Sequence, residues 1–312
     1  MKRLAAVTGA TGFLGGHVLR SLVGDGWRLR LLVRRDPRLA LGPDPVELVA
    51  GDLHDRDAVS ELVAGADAVI HIAGAIKARN RADFMSINRD GTREIAAAWD
   101  AHAPDARFVL ISSLAAREPS LSHYAASKAS AEDILHALAP GRAHVLRPTA
   151  IYGPGDRETL AVFKAARLPV HPLLGRRGSL ITLVHAADVA RAVLACATTA
   201  PAGTYEVTDA MHQGYAWGDV IGAACAAIGR TRRAFHLPTS VLRLVGMGGD
   251  LGASLSSRVS VTSQKVNEIL HPDWSSSLDA QINPCLWRPE YELSDGFSDA
   301  VTWYRNAGWL HA

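Results

Sequence analysis

The sequence has few cysteines, little net charge and no long apolar run, and each of these absences argues against a class of protein. Three cysteines among 312 residues, far apart in the sequence, have no metal-ligand spacing and favour a reducing compartment. A formal net charge of +2 gives no basic footprint for nucleic acid. No stretch of about 18 uncharged apolar residues could span a bilayer. We therefore expect a cytoplasmic protein with no nucleic-acid or membrane partner and no bound metal.

The amino terminus combines a short apolar run with a glycine-rich turn. Residues 4–7 are apolar, too few for the core of a signal peptide, so no leader is expected. An amphipathic stretch follows the turn, so the order is strand, turn and helix. Glycines spaced in this way allow a tight turn and a close approach to a pyrophosphate at the helix N-terminus. The turn therefore predicts dinucleotide binding, and it reads Thr8-Gly9-Ala10-Thr11-Gly12-Phe13-Leu14-Gly15-Gly16.

The second predicted strand, residues 28–33, ends in Arg34-Arg35-Asp36. An acidic side chain at this place binds the ribose 2′-hydroxyl of NAD, whereas arginine accommodates the 2′-phosphate of NADP. Because a guanidinium donates two parallel hydrogen bonds to phosphate, Arg34 and Arg35 favour NADP(H). Asp36 leaves NAD(H) as the alternative.

A tyrosine and a lysine stand four residues apart in Tyr124-Ala125-Ala126-Ser127-Lys128, eleven residues after a Ser-Ser pair. Residues at i and i+4 lie on one face of a helix. An ammonium beside a phenol favours phenolate and lowers the tyrosine pKa from its usual value of about 10. Such a phenol can exchange a proton with a carbonyl oxygen. The pattern predicts that Tyr124 is a general acid/base and that Lys128 tunes it.

The first half alternates apolar runs with helical patterns, which predicts a Rossmann-like α/β fold with a doubly wound parallel sheet. The carboxyl ends of its strands bring the loops at 8–15, 34–36, 51–53, 73–77 and 112–114 to one crevice. Strands are predicted at residues 4–8, 28–33, 46–50, 68–72, 107–112 and 144–146, and helices near 15–23, 55–64, 81–102 and 124–138.

After residue 150 the pattern loses its regularity. Strands at 182–184 and 204–208 and a helix at 186–197 are predicted, and the Gly- and Ser-rich stretch 246–263 reads as a surface loop. We expect a dinucleotide-binding domain of residues 1–150 plus about 178–210. A smaller, mostly helical substrate-binding domain would comprise about 151–177 plus 211–312.

Seven motifs, in this order, resemble the extended short-chain dehydrogenase/reductase family, also called the NAD-dependent epimerase/dehydratase family. They are the glycine turn of residues 8–15, Gly51-Asp52-Leu53, Asn88-x-x-Gly91-Thr92, Ser112-Ser113, Tyr124-x-x-x-Lys128, Arg147-Pro148-Thr149-Ala150-Ile151-Tyr152-Gly153-Pro154-Gly155 and Val184-His185-x-x-Asp188-Val189-Ala190.

The resemblance implies roles for particular residues. Tyr124 matches the family's general acid/base, and Lys128 the lysine that lowers its pKa and binds the nicotinamide ribose. Ser113 matches the serine that hydrogen-bonds the substrate oxygen, with Ser112 as a competing alignment. Asn88 matches a structural or relay asparagine. The expected cofactor-binding residues are Gly9, Thr11, Gly12, Phe13, Leu14, Gly15, Arg34, Arg35, Asp52, Leu53, Ala73, Gly74, Asn88, Tyr124, Lys128 and Pro148. Members of the family commonly pair as homodimers.

Three functions remain open at this point. The first is hydride transfer between NAD(P) and a ketone or secondary alcohol. The second is epimerisation of a sugar nucleotide, for which Arg157, Arg167, Arg176 and Arg177 could hold the diphosphate unless they are simply solvated. The third is NADP binding without catalysis. Sugar-nucleotide dehydratases have Thr-Asp-Glu at the serine site, where this chain has Ser112-Ser113-Leu114. Sugar-nucleotide epimerases usually follow the serines with Val-Tyr-Gly, where this chain has Ala115-Ala116-Arg117-Glu118. Both departures resemble the branch of hydroxysteroid dehydrogenases and dihydroflavonol-type reductases.

Overall fold

The apolar runs of the first half become strands of one sheet, and its central strands have the continuous burial expected of parallel strands covered on both faces. The computed structural model describes residues 2–36, 46–231, 233–255 and 262–310. Every residue of Leu4–Thr8 and of Ala68–His71 is buried. The strands are β1 Leu4–Thr8, β2 Arg28–Val33, β3 Glu47–Ala50, β4 Ala68–His71, β5 Arg107–Ile111, β6 Ala143–Pro148, β7 Ala150–Tyr152, β8 His171–Leu173, β9 Leu180–Ile181, β10 Leu183–His185, β11 Gly203–Val207, β12 Tyr215–Ala216 and β13 Ala234–His236.

The seven-stranded sheet has the order β11-β6-β5-β4-β1-β2-β3. The strand order reverses at β1, which pairs in parallel with both β2 and β4. This is the switch point at which a doubly wound sheet opens its ligand crevice. The predicted Rossmann-like fold is confirmed, and the predicted strands of this sheet lie within two residues of the observed bounds.

Amphipathic helices cover this sheet. On α1, Leu14, Val18, Leu19 and Leu22 are buried at the spacing of one helical face. The predicted helix at 81–102 is interrupted by a π-helical turn at Met85–Asp90. The helices are α1 Phe13–Gly24, α2 Arg56–Val63, α3 Arg81–Phe84, α4 Gly91–His102, α5 His123–Leu138, α6 Leu160–Ala165, α7 Ala186–Thr198, α8 Trp217–Ala227, α9 Thr239–Leu255, α10 Ser263–Leu270 and α11 Leu293–Asn306, with 3₁₀ turns at Leu114–Arg117 and Leu278–Ala280.

The chain divides into two compact units. The first comprises Met1–Pro148, Val189–Glu206 and Ile282–Arg288, and the second Thr149–Asp188, Val207–Gln281 and Pro289–Ala312. Residues 178–188, which the sequence analysis groups with the first domain, lie in the second unit. The reason is strand pairing, because β10 pairs with β7 and β9 pairs with β12.

The second unit has an aromatic core. Tyr152, Phe163, Phe297 and Tyr304 are buried, and their rings meet edge-on or tilted with centroids 4.9–5.6 Å apart. A smaller apolar cluster joins Leu242 of α9 to Val266 and Leu270 of α10. A further short pair of parallel strands, β8 and β13, belongs to this unit.

Residues 246–255 are helical, so the expectation of a surface loop over 246–263 is wrong for these residues. The part at 256–261 lies outside the described residues. A Cβ at Gly246 would stand 2.9 Å from the Cα of Ser263, so the glycine permits close packing of α9 against α10. Within the described ranges, no helix is long and apolar enough to cross a membrane.

Candidate active site

The turn after β1 needs glycine at two positions. Gly9 has φ +76°, and a Cβ there would lie 2.5 Å from the backbone N of Ala73. A Cβ at Gly15 would lie 2.7 Å from the carbonyl oxygen of Ala10. Real side chains do not reach such distances, so both glycines are required by the close approach of β1, α1 and the loop after β4.

The N-terminus of α1 is open to an anion. Gly12 occupies the N-cap position and supplies no side chain, so the amides of the first turn have no side-chain cap. No acidic residue lies in this turn. Unpaired N–H groups and the helix dipole favour a phosphate at such an end. Phe13 and Leu14 stand at the first two helical positions, and Thr11 is exposed in the turn before them.

The residues expected around the adenosine part lie at the ends of β2 and β3. Arg34, Arg35 and Asp36 are exposed directly after β2. Asp52 is exposed and accepts a hydrogen bond from the His54 amide at 2.8 Å. Leu53 packs against α4, where a Cβ at Gly91 would stand 2.6 Å from its Cδ1 atom.

A buried polar chain connects β1, β4 and α4. Thr92 Oγ1 donates to the carbonyl of Asn88 at 2.6 Å, so His71 Nε2, 3.2 Å away, is assigned as the donor to Thr92. His71 Nδ1 then accepts from Thr8 Oγ1 at 2.7 Å. Burial, assisted by the charge of Lys128, lowers the pKa of His71 to about 3. His71 is therefore neutral, and the chain fixes the end of β4 where the loop 73–75 begins.

Asn88 lies in the π-helical turn, and both the oxygen and the nitrogen of its side-chain amide hydrogen-bond the loop 73–75. Its Oδ1 accepts from the Ala75 amide at 2.7 Å, and its Nδ2 donates to the Ala75 carbonyl at 3.0 Å. Nδ2 also donates to Ser127 Oγ at 2.8 Å, and Ser127 Oγ donates to the carbonyl of Tyr124. The asparagine thus ties the loop after β4 to the first turn of α5.

Lys128 is buried under the same loop. Its Nζ donates to the Ile111 carbonyl at the end of β5, at 2.8 Å. A Cβ at Gly74 would stand 3.1 Å from both Lys128 Nζ and Asn88 Oδ1, so these groups converge at Gly74. Burial lowers the pKa of Lys128 to about 8, and the carboxylate of Glu132 opposes that shift. The side chain is therefore still largely protonated at neutral pH.

Tyr124 lies in the first turn of α5, which Ser122 caps by accepting from the Ala125 amide at 2.9 Å. The tyrosine is half-buried, and its ring lies edge-on to Phe84 with centroids 6.2 Å apart. Since Tyr124 and Lys128 are one helical turn apart, they share a face of α5.

The two adjacent serines have different surroundings. Ser112 is buried and donates to the carboxylate of Glu132, which also accepts from Arg147 at 2.5–3.1 Å. Ser113 is half-buried and accepts from the Ala115 amide at 3.2 Å. Ser112 is therefore committed as a donor to an internal ion pair. Ser113 Oγ has no hydrogen-bond acceptor among the residues that the structure describes.

The sequence reasoning missed several residues that support the site. His71 is the last residue of the apolar strand β4, and Glu132 lies one turn beyond Lys128 on α5, but neither belongs to a motif. Helical spacing from Lys128 was the available signal for Glu132. Pro148, expected near the cofactor, is buried at the end of β6.

In the second unit, Asp188 and His185 make structural contacts. Asp188 accepts from the amides of Glu290 and Tyr291 at 2.9 and 3.2 Å, so it anchors the segment before α11. The His185 ring stacks on Tyr291 with centroids 3.9 Å apart. Arg157 lies over the ring of Trp309 at 4.8 Å, and Arg167, Arg176 and Arg177 are exposed.

Comparisons with known proteins identify the family of the chain. Residues 5–208 match the model of the NAD dependent epimerase/dehydratase family. The chain is 46% identical over 312 residues to a ceramide reductase of Caulobacter vibrioides (strain NA1000 / CB15N), covering 98% of this chain and 96% of that protein. It is 34% identical over 229 residues to 4-hydroxy-2-methyl-3-oxo-4-farnesyl-3,4-dihydroquinoline-1-oxide ketoreductase of Stigmatella aurantiaca. This match covers 65% of this chain and 67% of that protein.

Solved structures share the fold at low sequence identity. UDP-glucose 4-epimerase from Bifidobacterium longum, in complex with NAD⁺ and UDP, superposes with a TM-score of 0.73 at 17% identity, covering 98% of this chain and 99% of that one. MoeE5, in complex with UDP-glucuronic acid and NAD, superposes with a TM-score of 0.72 at 19% identity, again covering 98% of this chain and 99% of that one. The chain therefore belongs to the NAD-dependent epimerase/dehydratase family, and it is an enzyme, a reductase or an epimerase.

Proposed function

We propose that this enzyme is an NADP(H)-dependent reductase that converts the ketone of a ceramide-like lipid into a secondary alcohol. The observation that carries the proposal is the 46% identity, over nearly the full length of both chains, to a protein named ceramide reductase. Ceramide contains a secondary alcohol, and the corresponding ketone is the carbonyl that a hydride donor reduces. The second relative, a ketoreductase, supports the same reaction class.

The residues of the first unit fit a dinucleotide. The uncapped amides of α1 would bind the pyrophosphate, and Gly9 and Gly15 give its approach the room that a Cβ would fill. Arg34 and Arg35, exposed after β2, would bind a 2′-phosphate, which makes NADP(H) the proposed cofactor. Lys128 and Asn88 converge at Gly74, where they would face the nicotinamide ribose. NADPH supplies the hydride when it is bound.

Tyr124 is proposed to give its phenolic proton to the ketone oxygen. The buried cation of Lys128, on the same helical face, stabilises the phenolate that this transfer leaves. Ser113 donates its free hydroxyl proton to the same oxygen and stabilises the charge that develops there. Asn88 holds the loop 73–75 and the first turn of α5 in place, so that these groups keep their positions.

The test is turnover of a 3-keto ceramide, dispersed in detergent, by the purified enzyme with NADPH deuterated at C4. We expect the hydroxyl lipid as product with one deuterium on the carbinol carbon and one NADPH consumed per product, read by mass spectrometry and absorbance. UDP-glucose and UDP-N-acetylglucosamine are assayed in parallel. Interconversion of a sugar nucleotide without net cofactor consumption, and no lipid product, would show that the enzyme is an epimerase instead.

Replacing Tyr124 by phenylalanine tests the assigned role. General acid catalysis contributes about a hundred- to ten-thousand-fold, so Tyr124→Phe should lower kcat by that factor while NADPH still binds. His123→Gln is the matched control, because its side chain points about 100° away on the same helix turn. The control should keep near wild-type kcat. Equal loss in both variants would place the effect in the helix start rather than in proton transfer.

A further inference from the structure

Most of the apolar side chains that the structure describes on helix α9, over residues 239–250, are exposed. Leu242 and Gly246 face inward, where Leu242 packs with Val266 and Leu270. Four further apolar side chains of α9 form an outer face that stands in solvent. Their exposed fractions are 39% for Val241, 66% for Leu244, 52% for Val245 and 62% for Met247. A helix that is apolar on nearly all sides is normally enclosed, so this outer face has the character of a binding surface.

The strand pair β8–β13 adds to the same part of the second unit. Leu237, just after β13, and Leu174, just after β8, pack against the cluster on which α9 lies. Phe235 of β13 is 46% exposed. Leu168 and Val170, directly before β8, are 51% and 45% exposed. We call these residues and the outer face of α9 together the α9 surface.

The segments that build the α9 surface are strongly basic, and the one acidic residue of α9 is Asp250, which accepts a hydrogen bond from the Ser263 amide. Residues 159–187 and 220–249 hold eight lysines and arginines and not one aspartate or glutamate. The rest of the chain holds the other 25 basic residues and all 31 acidic ones. The near-neutral chain therefore carries a positive second-unit region and a negative remainder. Among the basic residues, Lys164, Arg167, Arg176, Arg177, Arg230, Arg233 and Arg243 are exposed.

We propose that the α9 surface binds in the plane of an anionic membrane, with the apolar face of α9 in the lipid boundary and the arginines on the lipid headgroups. An exposed apolar helix face combined with basic residues is the pattern of interfacial membrane binding. At 17 residues, α9 is about 25 Å long, shorter than the hydrocarbon core of about 30 Å, so it lies on the bilayer rather than across it. The absence of a spanning segment, which argued against a membrane partner, does not bear on this mode.

A second copy of the chain is the other possible occupant, and charge disfavours it. A two-fold contact places the same patch of both copies face to face. The arginines of one copy would then oppose those of the other, and Asp250 is the single acidic residue of α9 that could pair with them. Anionic headgroups supply the missing negative charge. The proposal goes beyond the proposed function, because it concerns where the enzyme binds and not which carbonyl it reduces.

The experiment is co-flotation of the purified full-length enzyme with vesicles of phosphatidylcholine alone or with phosphatidylglycerol, at low and high salt. Neither lipid is a substrate, so binding is read without turnover. We expect binding to the anionic vesicles that weakens in high salt, and little binding to phosphatidylcholine. Failure of the wild-type enzyme to float with anionic vesicles overturns the proposal, whatever the reductase assay gives.

Two variants separate the apolar and the charged contributions. Leu244→Ser with Val245→Ser and Met247→Ser should weaken vesicle binding about a hundred-fold, since three partly exposed side chains lose their burial in lipid. The triple variant of Arg230, Arg233 and Arg243 to Gln should also weaken it about a hundred-fold, at roughly a factor of five per arginine. Turnover of a short, water-soluble ketone and thermal unfolding show that each variant is folded.

Matched controls remove exposed side chains elsewhere. Leu138→Ser with Leu278→Ser removes apolar side chains of 43% and 64% exposure. The triple variant of Arg20, Arg56 and Arg93 to Gln removes exposed charges of the first unit. Both controls should bind vesicles like the wild type. Equal loss in the controls overturns the proposal, as does sedimentation that shows the apolar variant changing a dimer into a monomer while vesicle binding stays unchanged.

Discussion

Replacing Ser112 and Ser113 by alanine, one at a time, separates a structural serine from the proposed hydrogen-bond donor to the substrate. Ser112 is buried and donates to Glu132, so it has no free proton to offer a ketone. Ser113 is half-buried and accepts from the Ala115 amide, which leaves its hydroxyl proton free for the substrate oxygen. The two variants should therefore fail in different assays.

The magnitudes follow from these surroundings. Ser113→Ala removes one donor to the developing oxyanion, which costs about a hundred- to a thousand-fold in kcat/KM. It also removes the cap of a single 3₁₀ turn, worth about 1 kcal/mol of stability. Ser112→Ala removes a hydrogen bond to a charged group, worth about 1.5–3 kcal/mol of unfolding free energy. Because Arg147 still pairs with Glu132, the fold should survive and activity should stay within a few-fold.

Initial rates of NADPH oxidation with the ketone, together with urea unfolding of both variants, give the two readouts. Each serine serves as the control for the other, since the substitution is the same and the positions are adjacent. The reasoning is refuted if Ser112→Ala loses activity a hundred-fold while Ser113→Ala remains active.

Three further predictions concern the cofactor turn, its specificity and the buried histidine. Gly15→Ala should abolish NADPH binding, since its Cβ would lie 2.7 Å from the carbonyl oxygen of Ala10. Gly16→Ala is the control, because its Cβ would lie 3.6 Å from the flexible side chain of Arg20, and it should bind NADPH normally in a fluorescence titration. Arg34→Ala should raise KM for NADPH about ten- to a hundred-fold and leave KM for NADH unchanged, and an equal rise for both cofactors would contradict a 2′-phosphate contact. Lowering the pH below 6.5 should reduce the free energy of unfolding by about 1.4 kcal/mol per pH unit through His71. The reason is that the pKa of His71 is about 3 in the folded protein and 6.5 ordinarily, so between these values only the unfolded chain takes up the proton. His71→Gln should reduce this slope in urea unfolding at successive pH values, and an unchanged slope would contradict the assignment.

The central strands of the sheet are predictable because they are buried on both faces and therefore appear as short continuous apolar runs. β1 and β2 match their predicted bounds. The strand predicted at 182–184 corresponds to β10, but most other strands of the second unit escape prediction for the opposite reason. β8, β9, β12 and β13 contain two or three residues each, too few to show a period of two.

Helix α9 was missed because glycine is a poor helix former in isolation. Gly246, Gly248 and Gly249 suggested a loop, but tertiary packing overrides the propensity. At Gly246 the backbone of Ser263 comes so close that a larger residue could not be accommodated. The glycine that lowers local helix propensity therefore allows α9 and α10 to pack, and this information lies in the partner helix rather than in the local sequence.

The π-helical turn at Met85–Asp90 is equally invisible to a period of 3.6 residues. A π turn adds a residue to the helix, so the side chains that follow are rotated relative to an uninterrupted helix. Such turns often occur at functional sites. Here the turn contains Asn88, which hydrogen-bonds Ala75 and Ser127. The motif predicts that an asparagine matters at this position, and the backbone distortion shows how its amide reaches two elements at once.

The charge at the site depends on buried groups outside the Tyr-x-x-x-Lys motif. Burial alone lowers the pKa of Lys128, and Glu132 limits the fall to about 8, so the cation persists at neutral pH. Glu132 accepts hydrogen bonds from Arg147 and Ser112, which hold its carboxylate in place one turn beyond the lysine. His71 is neutral in this region, partly because Lys128 is charged. A lysine that sits beside a fixed carboxylate and a neutral imidazole can favour phenolate on its own helical face, and a motif defined by two residues cannot predict this setting.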